Sequence, residues 1–293
     1  MTTANKKIAI TTDSNSGILP KEGGKLGAYV LPMPCLINGN CLFENVDITQ
    51  QEFYDLLAAD AEVSTSQPSV SEVTEFWTDI LKDYDEIVHV PMSSGLSKSC
   101  ETAQMLAKEF GGRVYVVDNR RISVTLKSSV LDAINLREQG KSAEEIKTAL
   151  EASADDSSIY IAVDTMKYLK KGGRVTPAAA AIGGILKIKP VLQIQGERLD
   201  KYALARGTLK AKELLKNAVR NALDTRFASL ASEGAVALGV GHTANEAEAK
   251  KFVEELKKDF PTLPVLFCEP LPLSVSCHIG PGALALTITR VLK

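Results

Sequence analysis

Hydroxyl-bearing and cationic side chains gather at a few points in this chain where the local pattern also demands a turn. Ser64-Thr65-Ser66-Gln67-Pro68-Ser69 and Ser93-Ser94-Gly95-Leu96-Ser97 crowd hydroxyls where an apolar run gives way to a helical pattern. Hydroxyls and free backbone N–H groups at such a turn can cradle an anion beside a helix N-terminus. They serve equally as ordinary helix caps. Lys170-Lys171-Gly172-Gly173-Arg174-Val175-Thr176-Pro177 sets cations beside two glycines. That arrangement either holds an anion or simply ends a helix, where cations and glycine are favoured in any case. In Cys277-His278-Ile279-Gly280-Pro281-Gly282 the histidine reads as lying on a constrained turn, not on a helix face. A neutral imidazole there gives one hydrogen bond to a carboxylate, and a protonated one adds charge. His89 inside a strand and His242 after one read as structural.

Other chemistries have less support. The chain has no GxSxG elbow, no GxxxxGK[ST] loop and no strand-linked GxGxxG. A zinc site built on Cys268, Cys277 and His278 lacks ligand spacing and a fourth partner, so no metal and no cofactor are expected. The small-residue run at 178–186 (AAAAIGGIL) either leaves room for a slender apolar ligand or lets another backbone approach closely.

The elements that must position these residues alternate. Apolar runs at 8–12, 86–91 and 113–117 each close on a polar loop and lead toward helical patterns. Ala103, Leu106, Ala107 and Phe110 form one helix face, a helix is expected over 122–139, and Ser142 with Glu145 makes a capping box for the next. This grammar predicts a parallel sheet covered on both faces. Ligands then belong beyond the carboxyl ends of its strands, at the loops after Ile10 and Val90. The polar stretch 153–158 suggests a boundary between an N-terminal α/β domain, 1–157, and a C-terminal α/β domain, 158–293. Beyond it come a strand at 158–163, a short helix at 165–171 and a hairpin of 188–195 with 197–203 around Gly196. A long helix carries Ala211, Leu214, Leu215, Ala218 and Ala222 on one face, and strands at 235–240, 264–268 and 283–289 complete a mixed sheet.

Composition sets the outer bounds. The 293 residues are 45% hydrophobic, 24% charged and 5% aromatic, which excludes a disordered or collagen-like chain. Thirty-four basic residues against 36 acidic ones give a net charge of -2, which argues against a general nucleic-acid or membrane-surface binder. Five scattered cysteines without CxxC spacing read as reduced thiols. No apolar run reaches the length of a membrane span, and the first residues do not form a signal peptide. A cytoplasmic protein without stable membrane insertion is the expectation.

Eight segments, in order along nearly the whole chain, resemble the DegV family of bacterial fatty-acid-binding proteins. They are TDSNSG (12–17), TSQPS (65–69), SSGLS (93–97), VVD (116–118), YLKKGGRVT (168–176), LKIKPVLQI (186–194), ARGTLKA (205–211) and HIGPGALAL (278–286). The resemblance implies a two-domain α/β protein with a long-chain fatty acid held between the domains. It implies an apolar tunnel for the acyl chain and a carboxylate site at the positions of Thr65, Ser93, Ser94 and His278. Members of the FakB type hand the bound acid to a separate ATP-dependent fatty acid kinase, which makes an acyl phosphate for phospholipid synthesis. By resemblance this chain is then a binding subunit without its own ATP site, and the basic motifs offer Arg174 and Arg206 as a partner surface. Two departures fall near the implied head-group site: Lys98-Ser99-Cys100 follows SSGLS where many members have Gly-Thr-Tyr, and Asn119 follows Asp118 in place of serine. The competing readings are a serine-dependent acyl hydrolase, with Ser94, His278 and an acid such as Asp13, and a lipid-sensing regulator.

Overall fold

The computed structural model describes residues 6–183 and 188–292. In chain order β1 (Ile8–Asp13) leads to α1 (Pro20–Leu26) and β2 (Ala28–Leu31). Then come β3 (Pro34–Ile37), β4 (Asn40–Phe43), α2 (Gln50–Ala58), β5 (Val63–Thr65) and α3 (Val70–Ile80). The first half ends with β6 (Glu86–Val90), α4 (Ser99–Ala107), β7 (Val114–Val116), α5 (Val124–Glu138) and α6 (Ala143–Ala152).

Four of these strands make a parallel sheet in the order β2-β1-β6-β7. Successive side chains on a strand point to opposite faces. Ile8, Ile10, Val88 and Val90 therefore pack beneath Leu126, Val130, Ile146 and Leu150 of α5 and α6. Ala9, Ile87, Val114 and Val116 pack on the other side against Val73 and Trp77 of α3 and Ala103 and Leu106 of α4. Both faces are covered, as the alternating pattern predicts. Capping boxes start α3, through Ser69 and Glu72, and α6, through Ser142 and Glu145. A second, three-stranded antiparallel sheet in the order β4-β3-β5 stands beside the first. It was not expected, although its Asn38-Gly39 turn, with both residues at positive φ, is a strong hairpin signal.

The second half begins with β8 (Ser157–Ala162), α7 (Lys167–Gly172) and α8 (Pro177–Ala180). It continues through β9 (Ile188–Ile194), β10 (Asp200–Arg206), α9 (Gly207–Asp224), α10 (Ala228–Ser232) and β11 (Val236–His242). The last elements are α11 (Glu246–Asp259), β12 (Val265–Pro270), α12 (Leu273–Ile279) and β13 (Leu284–Arg290). Six strands form one mixed sheet, β10-β9-β8-β13-β11-β12, antiparallel except between β11 and β12. The expected hairpin is present, but its second strand starts three residues later than predicted. Of the small-residue run, Ala179 and Ile182 are buried, while Gly184, Ile185 and Leu186 lie outside the described residues, as does the start of the LKIKPVLQI segment.

One face of this sheet is covered by α9 and α11, through Ala211, Leu215, Val219, Phe252 and Leu256. The other face carries Ile159, Ile161, Leu192, Ile194 and Ala285, and it meets Leu96 and Ile122 from the first half. Helix α5 runs between the sheets and touches β1 and β6 on one side and β11 and β13 on the other. Ten of its fifteen residues are buried, so it has no polar stripe.

Candidate functional site

A cavity of about 340 Å³ opens where the mixed sheet faces the first half. That size lies in the range of small-molecule sites, roughly 300–1,000 Å³. Ile159, Ile161, Ile194, Leu199, Ala285 and Gly241 form the sheet side of its wall. Met33, Met92, Leu96, Ile122 and Val124 come from the first half, and Leu271, Val275 and Ile279 close it. The polar side is formed by Thr65, Ser66, Gln67, Ser97, Lys98, Arg174 and His278. Asn15 follows β1 and Lys98 follows β6, so the lining does include the loops at the carboxyl ends of the parallel strands.

Thr65 and His278 meet directly. Thr65 Oγ1 lies 2.9 Å from His278 Nε2, although the two are 213 residues apart in sequence. Thr65 is the last residue of β5, which places its side chain opposite Cys35 of β3. His278 sits in the last turn of α12, which corrects the expectation of a turn residue. The Gly-Pro-Gly signal is real but acts after the histidine: Gly280, at φ 77°, ends the helix. Helix α12 is held between the small sheet, through Leu273 and Cys277, and α7. A Cβ built on Gly172 would overlap the imidazole of His278, so the first glycine of the Gly-Gly pair is what lets α7 pass the ring. Arg174 Nη1 donates to the Gly172 carbonyl at 2.5 Å, which brings the guanidinium to the cavity wall beside His278. Burial, with the Arg174 charge adding to it, holds His278 at about 4, so the ring is neutral at pH 7.

The serines of the β6–α4 loop are placed differently. Ser93 is fully buried, and its hydroxyl donates to the Gly196 carbonyl at 2.5 Å in the β9–β10 turn. Gly95 sits against the same carbonyl, and a Cβ there would come within 2.6 Å of it. The backbone N–H of Ser94 donates to Asp118 Oδ1 at 3.3 Å. Neither serine contributes to the cavity lining. Their loop instead fastens the first half to the second. Asp13 also acts as a fastener, since its carboxylate accepts from the N–H groups of Asn15 and Met92, each at 2.9 Å, and burial pushes it up to about 6. Arg206 is exposed at the end of β10 and is not among the residues that line the cavity.

A family model described as "Uncharacterised protein, DegV family" matches residues 7–291. The chain belongs to the DegV family. A DegV domain-containing protein of Deinococcus radiodurans is 31% identical over 286 residues, covering 96% of this chain and 98% of that protein. Among solved structures, a fatty-acid-binding DegV family protein from Thermus thermophilus superposes with a TM-score of 0.86 at 28% identity. The alignment covers 97% of this chain and 99% of the other. DegV of Bacillus subtilis, described as a fatty acid binding protein, gives a TM-score of 0.82 at 26% identity over 97% and 99% of the two chains. The two-domain α/β architecture expected from the DegV resemblance is thus the one found, a parallel-sheet domain joined to a mixed-sheet domain.

Within this DegV fold, no hydrogen bond joins Ser94, His278 and Asp13 among the described residues: each has the different partner given above. Among the described residues no group of three His, Cys, Asp or Glu side chains is placed to hold a metal ion, and no helix is long and apolar enough to cross a membrane. Sequence reasoning did not single out Ser123, Ser274 or Gln67 as site residues, and all three line the cavity. Ser274 precedes His278 by four residues and shares its helix face, a relation that exists only because the segment folds as α12.

Proposed function

We propose that this protein holds a long-chain fatty acid in the cavity, with the carboxylate at Thr65, His278 and Arg174 and the alkyl chain along the isoleucine wall. The observation that carries this reading is an apolar cavity whose polar side includes the Thr65–His278 pair, in a fold shared with two fatty-acid-binding DegV proteins. Burying about sixteen carbons at roughly 0.8 kcal/mol per methylene gives on the order of 10 kcal/mol, enough to survive losses on association. Ser93 and Ser94 take part by holding the β6–α4 loop at the rim. The protein is a carrier, divided between 1–157 and 158–293, that works in the cytoplasm without a cofactor or metal. It presents the carboxylate to a separate fatty acid kinase, and the exposed Arg206 supplies part of the meeting surface.

Native mass spectrometry of the purified full chain, followed by lipid extraction, tests the first step. A fatty acid in one-to-one ratio is expected. Only empty protein, with no uptake of hexadecanoic acid after delipidation, would overturn the proposal.

A further inference from the structure

Two cationic side chains line the cavity, Arg174 and Lys98. Lys98 is also the first of the three residues at which the chain departs from the DegV pattern after SSGLS. It is exposed, as are its fellow lining residues Ser66 and Gln67, so the polar side is where the cavity opens to solvent.

Helix stability does not account for a lysine at this position. Lys98 immediately precedes α4 and makes no side-chain cap bond. A cation at a helix N-terminus opposes the helix dipole, whereas Glu101 in the first turn suits it. The backbone of Lys98 is helical, and its carbonyl accepts from the Thr102 N–H at 2.9 Å. Residues four apart share one helix face. Thr102 uses that face to donate its hydroxyl to Gln67 Oε1 at 3.3 Å, so Lys98 stands on the side of α4 that meets the Thr65–Gln67 loop.

Its present partner is a weak one. The ammonium bonds both Glu101 oxygens, at 2.8 and 2.9 Å, but the two side chains are 78% and 51% exposed. Ion pairs so open to water contribute little and exchange readily. A carboxylate at the mouth of an apolar cavity sits in a lower dielectric, where the same cation attracts it more strongly. Arg174 is tied to the Gly172 carbonyl, whereas Lys98 has a long flexible stem and is free to move.

We propose that Lys98 is a head-group residue, whose ammonium leaves Glu101 for the carboxylate of an incoming fatty acid. This rests on the fatty-acid reading above and deepens it. Thr65 and neutral His278 supply hydrogen bonds, and the ligand's charge is met by one fixed cation and one mobile cation. Glu101 is then a competitor that holds the lysine while the cavity is empty.

The test is displacement of a fluorescent alkyl probe from the delipidated full chain by hexadecanoic acid and by hexadecan-1-ol, which has the same chain without the charge. Lys98→Gln is expected to weaken binding of the acid about fivefold at low salt, with a slower association rate and a difference that shrinks as salt is raised. Its affinity for the alcohol should not change. Glu101→Gln, which frees the ammonium, should strengthen binding of the acid by about two- to threefold. Both positions are on the surface, so both variants are expected to fold as the unmodified protein does. Unchanged affinity of Lys98→Gln for the acid at low salt, or an equal loss for acid and alcohol, overturns the proposal. Failure of the unmodified protein to bind hexadecanoic acid overturns the fatty-acid reading itself, and this proposal with it.

Discussion

The two large sheets of this protein solve the same problem in different ways. The parallel sheet buries both faces beneath helices, so that Ile10 and Ala9 point into separate cores above and below it. The mixed sheet covers one face with α9 and α11 and turns the other toward a cavity. Side chains of similar type therefore do different work: in the first sheet they are enclosed by protein, and in the second they wall a space. The first sheet is built for stability and the second for occupancy.

Core truncations give the sharpest test of that contrast. Trp77→Ala removes a fully buried ring stacked edge-on against His89 and Phe110, and is expected to destabilise the fold by about 3–5 kcal/mol in denaturant titrations. Ile161→Ala, buried but lining the cavity, is expected to cost less, about 2 kcal/mol, with a larger effect on fatty-acid affinity. Equal losses of stability would erase the distinction between the sheets.

Acid should reveal the buried histidine of the cavity. His278 sits at about 4 in the fold against an ordinary 6.5. As pH falls below 6.5 the unfolded chain takes up a proton that the folded chain refuses until about 4, so stability present above 6.5 is lost across that window. The loss approaches roughly 3 kcal/mol. His278→Gln should flatten that part of the stability profile. Asp13, raised to about 6, works in the opposite sense between 3.8 and 6, so the difference between the two proteins is the quantity to measure. A carboxylate bound beside His278 raises its pKa, so fatty-acid affinity should be level from about pH 8 to 7 and increase toward about pH 5.

Head-group variants come next in size. Thr65→Ala and His278→Ala should each weaken fatty-acid binding by tenfold or more, since hydrogen bonds to a charged group contribute about 1.5–3 kcal/mol. Gly172→Ala should weaken binding by a comparable factor, because the added methyl displaces the His278 imidazole while leaving its chemistry unchanged. Ser94→Ala should have a smaller effect, because its hydroxyl is not part of the lining. If isothermal titration gives Gly172→Ala normal affinity, the ring position does not matter to the ligand. The smallest effect belongs to Arg206→Ala, which should leave affinity unchanged and slow acyl-phosphate formation by a cognate kinase at low salt. Unchanged rates would remove Arg206 from the meeting surface.

The parallel sheet was legible because each strand is a short apolar run closed by a polar loop, and α6 because Ser142 and Glu145 announce its start. Helix α12 was not. Ser274, Val275, Ser276 and Cys277 are poor helix formers, and the helix exists because Leu273 and Cys277 dock on the small sheet. The late start of β10 follows from a five-residue turn at 195–199 that is tied to Ser93 and Gly95. The Thr65–His278 pair emerged from family motifs, not from local pattern, because 213 residues separate its members.

The sheet face left open to the cavity carries one more consequence. Whatever fills that space completes a layer of the protein, so cargo and fold share a single equilibrium. A ligand at about one hundred times its dissociation constant adds about 2.7 kcal/mol to folding stability. Filled and empty molecules would then differ in their exposure to proteolysis and in their lifetime in a cell. The amount of protein present would follow the supply of what it carries.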